Sequence, residues 1–291
     1  MPWPEPASGV RAADFLALTK PRLNLLVVAT TAAGFYLGID RLDAALLVAT
    51  IAGTAMVAGG AAAFNEAFER DTDALMRRTR TRPLPGGRMR LSTAVWFGLA
   101  LALGGLALLG LGANWLAAGV AAVTLVSYTL VYTPLKRKTH LATLVGGVPG
   151  ALPPMIGWAG ATGTLSIEAW VLFAVVYLWQ MPHFLGMAWM CREEYAQAGL
   201  PMLPVVDPSG RTTARMVVLY ASVLVPVSLA PTLVGLAGRV YFGGALALGL
   251  AFLALGIHFA RRRTHERARR LFLGSITYLP LLWGFMLGNH R

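Results

Sequence analysis

The sequence predicts an all-α polytopic membrane protein, and three observations carry that expectation. Hydrophobic residues make up 56% of the 291 residues and charged residues only 13%. Mean hydropathy is +0.61. The charges gather in short stretches between uncharged runs, and those runs approach the roughly 20 residues a helix needs to cross a bilayer.

In chain order, apolar segments lie near residues 19–38, 43–64, 92–112, 115–132, 141–158, 167–187, 215–236, 240–260 and 271–288, so nine transmembrane helices are expected. They form one transmembrane domain over residues 1–291, with 1–15 expected as a flexible N-terminal stretch. Met1 to Arg11 is Pro-rich and lacks a basic region ahead of an apolar core, so a cleaved signal peptide is not expected.

The basic residues orient the chain. If the N-terminus and the loops after the second, fourth, sixth and eighth segments share a side, that side holds 22 of the 25 Lys and Arg residues. Only Arg41, Arg239 and Arg291 fall opposite. The positive-inside rule then places the N-terminus in the cytoplasm and the C-terminus across the membrane. A net charge of +12 in a soluble domain would suggest nucleic acid, but charges lodged between apolar runs exclude that class. They suit the lipid bilayer instead, as the cluster Arg261, Arg262, Arg263, Arg267, Arg269 and Arg270 illustrates with its fit to anionic headgroups. The single cysteine, Cys191, permits no internal disulfide.

Acidic residues discriminate more sharply, because topology does not require them and a bilayer boundary penalises them. Glu66, Glu69, Asp71 and Asp73 follow the second segment, and Glu193, Glu194 and Asp207 follow the sixth. On a continuing helix Asn65, Glu69 and Asp73 form one oxygen-rich stripe. Carboxylates at a helix C-terminus face the negative end of its dipole and call for a cation. Two hard carboxylates and a neutral amide suit Mg²⁺, which takes its remaining ligands from water and phosphate. Arg78 and Arg82, with Thr79 between them, can fork onto that phosphate. The plainer alternative is a solvated helix end in which Glu69 pairs with Arg70 or Arg77.

The second acidic loop begins inside the membrane, with Trp179-Gln180-Met181-Pro182-His183-Phe184. Polar groups there are functional candidates by default, and Pro182 removes a backbone donor. A helical continuation lets Gln180, His183, Glu194 and Tyr195 line one wall. Equally, His183 can bond a neighbouring helix and hold the bundle together. Lys136 and Arg137, at the end of the fourth segment, and Lys20 and Arg22, at the start of the first, read either as anion-binding groups or as interfacial anchors. Gly146 to Pro154 breaks the fifth segment with small and helix-bending residues.

These residues together resemble the UbiA-type intramembrane prenyltransferases, and within them the haem-farnesylating, haem O synthase branch. The resemblance rests on Thr19-Lys20-Pro21-Arg22; on Asn65 to Asp73 with Met76-x-Arg78-Thr79-x-x-Arg82-Pro83; on Tyr132-Thr133 with Leu135-Lys136-Arg137; and on Gly146-Gly147 with Pro153-Pro154-x-Ile156-Gly157-Trp158. It continues through Trp179-Gln180-x-Pro182-His183-Phe184, Tyr195, Gly199-x-Pro201-Met202-x-Pro204 and Phe272-x-x-Ser275-x-x-Tyr278-Leu279. The two runs around Pro182 and Pro204 narrow the superfamily to the haem branch. Two departures stand out. Glu69 replaces the usual Asp, and Glu193-Glu194-Tyr195 replaces a carboxylate pair spaced i, i+4, so one well-formed magnesium site is expected and a second stays open.

The resemblance implies a helical bundle around a central cavity with a lateral opening, on the cytoplasmic side of a bacterial inner membrane. It implies the substrates farnesyl diphosphate and haem B, the cofactor Mg²⁺, and a haem-handling partner such as the next enzyme of haem A synthesis or an oxidase-assembly factor. Asn65, Glu69 and Asp73 would hold the metal, with Lys20, Arg22, Arg78, Thr79, Arg82, Lys136 and Arg137 on the diphosphate. Tyr132, His183 and Glu194 join the catalytic set, and Trp179, Gln180, His183, Phe184 and Tyr195 would meet haem or prenyl. From residues alone, an aromatic or quinone-precursor acceptor stays open, as does a transporter, since broken helices and buried polar groups also mark transport pathways.

Overall fold

Helices follow the apolar runs because a chain without water to bond must satisfy its backbone internally. The computed structural model describes residues 10–290. A short α1 (Ala12–Leu18) precedes α2 (Pro21–Leu37), the long α3 (Ala44–Leu75) and α4 (Leu91–Gly112). Then α5 (Trp115–Val126) widens into a π-helical turn, Ser127–Tyr132, and closes with α6 (Thr133–Leu135). A broken pair, α7 (Ala142–Ala151) and α8 (Pro153–Thr162), leads to α9 (Ile167–Met190). Short α10 (Arg192–Gln197) and α11 (Leu203–Val206) precede α12 (Arg211–Val227), α13 (Ala230–Leu233), α14 (Arg239–Arg261) and α15 (His265–Gly288).

Seven segments among the described residues are long and apolar enough to cross a bilayer, as an integral membrane protein requires. The expected spans at 19–38 and 141–158 are not among them, because α2 has 17 residues and the latter is split between α7 and α8 around Leu152. Pro153 and Pro154 supply no backbone donors there, so the helix cannot run through unbroken. Of the stretch expected to be flexible, residues 1–9 lie outside the described residues, while α1 begins at Ala12.

Helix ends are set by local chemistry. Asp43 accepts from Leu46 N–H at 3.0 Å to start α3, and Asn114 accepts from Ala117 N–H at 2.9 Å to start α5. The Asn114 amide also donates to the Ala159 carbonyl at 2.8 Å, tying α5 to α8. Packing relies on small residues, since lipid offers no hydrophobic drive between helices. A Cβ on Gly60 would lie 2.6 Å from the Gly98 carbonyl oxygen, and one on Gly157 only 1.9 Å from that of Thr31. These contacts bring α3 against α4 and α8 against α2 backbone to backbone. On the other side, α9 packs on α7, α12 and α15. The ends of α3, α6 and α9 thereby surround one cavity.

Candidate active site

Asn65, Glu69 and Asp73 occupy successive turns near the end of α3, and all three line a cavity of about 850 Å³ open to solvent. Their helix is continuous to Leu75, which keeps the stripe on one face as the spacing predicts. Each side chain meets a cation from a different segment. Lys20 Nζ donates to Asn65 Oδ1 at 2.6 Å, Lys136 Nζ to Glu69 Oε1 at 2.7 Å, and Arg82 Nη1 to Asp73 Oδ2 at 2.6 Å. Glu69 therefore pairs neither with Arg70, whose guanidinium bonds Asp71, nor with Arg77, but with a lysine 67 residues away.

The cations are positioned by distinct local devices. Lys20 has φ +48°, an unusual conformation for a non-glycine residue and doubly so before proline. It is held by its backbone N–H on Ala17 O at 3.1 Å and by its Asn65 bond. Burial, with Arg82 close by, lowers the Lys20 pKa to about 8. Lys136 caps the C-terminus of α6, directly after the π-helical turn, a departure from regular helix that recurs at functional sites. Its Nζ lies 4.8 Å from the Tyr132 ring centroid, so one aromatic face is already occupied by a cation. Arg82 is held by the turn-rich segment after α3, where Thr79 Oγ1 donates to the Asp73 carbonyl at 2.8 Å. Arg78 Nη2 reaches the Tyr195 hydroxyl at 3.4 Å, and burial raises the Tyr195 pKa.

Of the residues singled out from sequence, Lys20, Asn65, Glu69, Asp73, Arg78, Thr79, Arg82, Tyr132, Lys136, Phe184 and Tyr195 line this cavity. Arg22 and Arg137 are exposed and do not. Trp179, Gln180, His183 and Glu194 are absent from its wall as well, so the expected four-residue wall reduces to Tyr195. The reason lies in helix rotation. Gln180 Nε2 donates to Gly147 O at 2.7 Å on α7, and Trp179 Nε1 to Ser275 O at 2.8 Å on α15. His183 Nδ1 lies 2.7 Å from Ser275 Oγ, with its ring stacked between Trp179 and Phe272. The Ser275 hydroxyl thus lies within hydrogen-bond reach of both the His183 imidazole and the Phe272 carbonyl.

Sequence reading missed Tyr128, which lines the cavity with its ring 5.5 Å from that of Tyr132. The i, i+4 tyrosine pair was the available signal. It also missed apolar parts of the wall such as Leu23, Met187 and Leu200, which ordinary membrane-helix composition conceals.

Two carboxylates and one amide on a single helix face, opening beside phosphate-suited cations, fit Mg²⁺ by donor chemistry. No group of three or more His, Cys, Asp and Glu side chains arranged to hold a metal occurs among the described residues.

A family model described as the UbiA prenyltransferase family matches residues 26–285. The chain belongs to that family. Its likeness extends to the protoheme IX farnesyltransferase of Solibacter usitatus (strain Ellin6076), 49% identical over 284 residues, or 94% of this chain and 97% of the relative. A solved structure of digeranylgeranylglyceryl phosphate synthase superposes with TM-score 0.81 at 16% identity, over 95% of this chain and 97% of that one. A UbiA homologue from Archaeoglobus fulgidus bound to DMAPP and Mg²⁺ superposes with TM-score 0.67 at 17% identity, over 94% and 99% of the two chains. These superpositions show that the chain has the UbiA fold.

Proposed function

We propose that this UbiA-family chain transfers the farnesyl group of farnesyl diphosphate to a vinyl group of haem B, with addition of water, giving haem O and diphosphate. The observation that carries the transferase chemistry is the convergence of Lys20, Arg78, Arg82 and Lys136 with Asn65, Glu69 and Asp73 on one cavity whose other wall is apolar. Identity with protoheme IX farnesyltransferase along nearly the whole chain supports haem as acceptor. By the positive-inside rule, the cavity faces the cytoplasm of a bacterial inner membrane.

The residues support each step. The four cations bind the diphosphate and stabilise the negative charge that grows as the allylic C–O bond breaks with its electron pair leaving on oxygen. Asn65, Glu69 and Asp73 would hold Mg²⁺, which adds Lewis-acid stabilisation of that leaving group. Leu23, Phe184, Met187 and Met202 give the isoprenoid an apolar wall. Tyr128, Phe184 and the free face of Tyr132 present π-density to the allylic cation. The vinyl π pair forms the new C–C bond, and water captures the cation left beside the porphyrin and loses a proton. Trp179, Gln180 and His183 position α9 against α7 and α15, setting Phe184 on the cavity wall.

The test is incubation of membranes containing the protein with farnesyl diphosphate, haem B and Mg²⁺, followed by mass analysis. A haem heavier by one farnesyl group plus one hydroxyl is expected, with diphosphate released. Diphosphate release only when an aromatic acceptor replaces haem would overturn the acceptor assignment. No release with any acceptor would overturn the enzyme reading in favour of transport.

A further inference from the structure

Glu66 does not line the cavity described above, yet it is the most deeply buried acid among the described residues. It follows Asn65 on α3, about 100° further round the helix, and is 0% exposed. Glu is almost never fully buried without a partner, because an unpaired carboxyl in an apolar setting is costly. Here Oε1 accepts the Leu84 backbone N–H at 3.0 Å, while Oε2 has no hydrogen-bond partner. Its donor partner Leu84 belongs to a buried apolar cluster with Leu18, Ala63, Met89 and Ala94, which joins α1, α3, α4 and the segment between the last two, while the charges of Lys20, Arg82 and Asp73 act on Glu66 from the cavity side.

Leu84 stands between Pro83 and Pro85, so its N–H is the single backbone donor of that run. The prolines stiffen the chain on either side. A turn is closed around it, with Gly86 N–H on Arg82 O at 2.8 Å and Arg88 N–H on Pro83 O at 3.0 Å. Arg82, two residues before Leu84, points its guanidinium at Asp73. We infer that Glu66 is a positioning residue that fixes Arg82 over the diphosphate site by holding the Leu84 N–H. The inference rests on the proposed diphosphate site and assigns Glu66 a role in substrate affinity rather than in metal binding.

Three proteins test it: wild type, Glu66→Met, which keeps the volume but loses the acceptor, and Glu66→Gln, which keeps a carbonyl for Leu84. Binding of inorganic diphosphate with Mg²⁺ is measured by calorimetry in detergent, alongside KM for farnesyl diphosphate and for haem B. An orphaned buried donor predicts about ten-fold weaker diphosphate binding in the Met variant and a matching rise in KM for farnesyl diphosphate, with KM for haem B unchanged. The Gln variant restores binding to within about three-fold. Diphosphate affinity in Glu66→Met equal to wild type, whatever its melting temperature, overturns the inference and leaves Glu66 a structural residue. Should that variant not fold, Glu66→Asp, one methylene short of Leu84, replaces it under the same criterion. Wild-type protein that binds no diphosphate overturns the proposed function, and this inference with it.

Discussion

Arg82 Nη1 lies 2.6 Å from Asp73 Oδ2, across nine residues of chain that leave α3, turn and come back. The Asp73 side chain is 1% exposed and that of Arg82 26%, so the acid is enclosed while the guanidinium keeps an open side toward the cavity. A metal-suited oxygen and a phosphate-suited cation are thereby adjacent before any substrate geometry is considered. The same pairing recurs between Glu69 and Lys136 and between Asn65 and Lys20.

Asp73→Ala removes a hard oxygen from the stripe while leaving Arg82 partly solvated. Turnover to haem O falls by about a hundred-fold or more, while the variant elutes as wild type on size exclusion. Wild-type rates of haem O formation, read by mass, would remove the metal-binding role of Asp73.

Lys136 and Glu69 are 16% and 14% exposed, so breaking the pair from one side strands a nearly buried charge. Lys136→Met lowers stability by about 3 kcal/mol. The double variant Lys136→Met/Glu69→Gln regains much of the melting temperature but no activity. Recovery of activity in the double variant would show that the two residues serve packing alone.

Divalent metal removal follows from the donor set. Chelation of Mg²⁺ is expected to stop diphosphate release from farnesyl diphosphate, and added Mg²⁺ to restore it. Undiminished release in the presence of chelator would leave the arginines and lysines as the whole electrostatic apparatus.

Ser275→Ala deletes the hydroxyl that hydrogen-bonds His183 Nδ1 at the contact between α9 and α15. The expected loss is about 1 kcal/mol of stability, with the affinity for Mg²⁺ and inorganic diphosphate unchanged. Weakened diphosphate binding would place this contact in the site itself.

Asp14 on α1 accepts from Arg88 Nε at 2.8 Å, joining α1 to the segment that carries Arg82. The Arg88 bond holds the Asp14 carboxyl below the usual carboxylate range. With the folded pKa depressed, the stabilisation is present above the unfolded value and fades as pH falls through the folded one. Arg88 is 40% exposed, so solvent screening keeps the effect small. Melting temperatures in detergent at pH 5 and pH 3 should differ more in wild type than in Asp14→Asn. Identical differences would discount the pair.

Among these elements, legibility tracks the range of the interaction. The stripe of Asn65, Glu69 and Asp73 was readable because helical spacing alone puts three residues on one face. Lys20, Arg82 and Lys136 were readable as cations near membrane boundaries, whereas their partners were not. Glu69 pairs with Lys136 rather than with a neighbouring arginine because the end of α6, just past the π-helical turn, brings that lysine to the cavity, and no local pattern announces the turn. Gln180 and His183 looked like cavity residues for the same reason. One helix has a cavity face and a packing face, and only the placement of α7 and α15 decides which is which.

The sequence by itself determined the membrane class, the order of apolar helices and the resemblance to a prenyltransferase family, since each is written in runs and spacings along one helix. Tertiary structure alone decided which cation meets which acid, that His183 bonds α15 instead of facing the cavity, and that Glu66 holds the Leu84 N–H. Those outcomes join segments tens of residues apart, and helix rotation and close backbone packing fix them together, so no single stretch of chain encodes them.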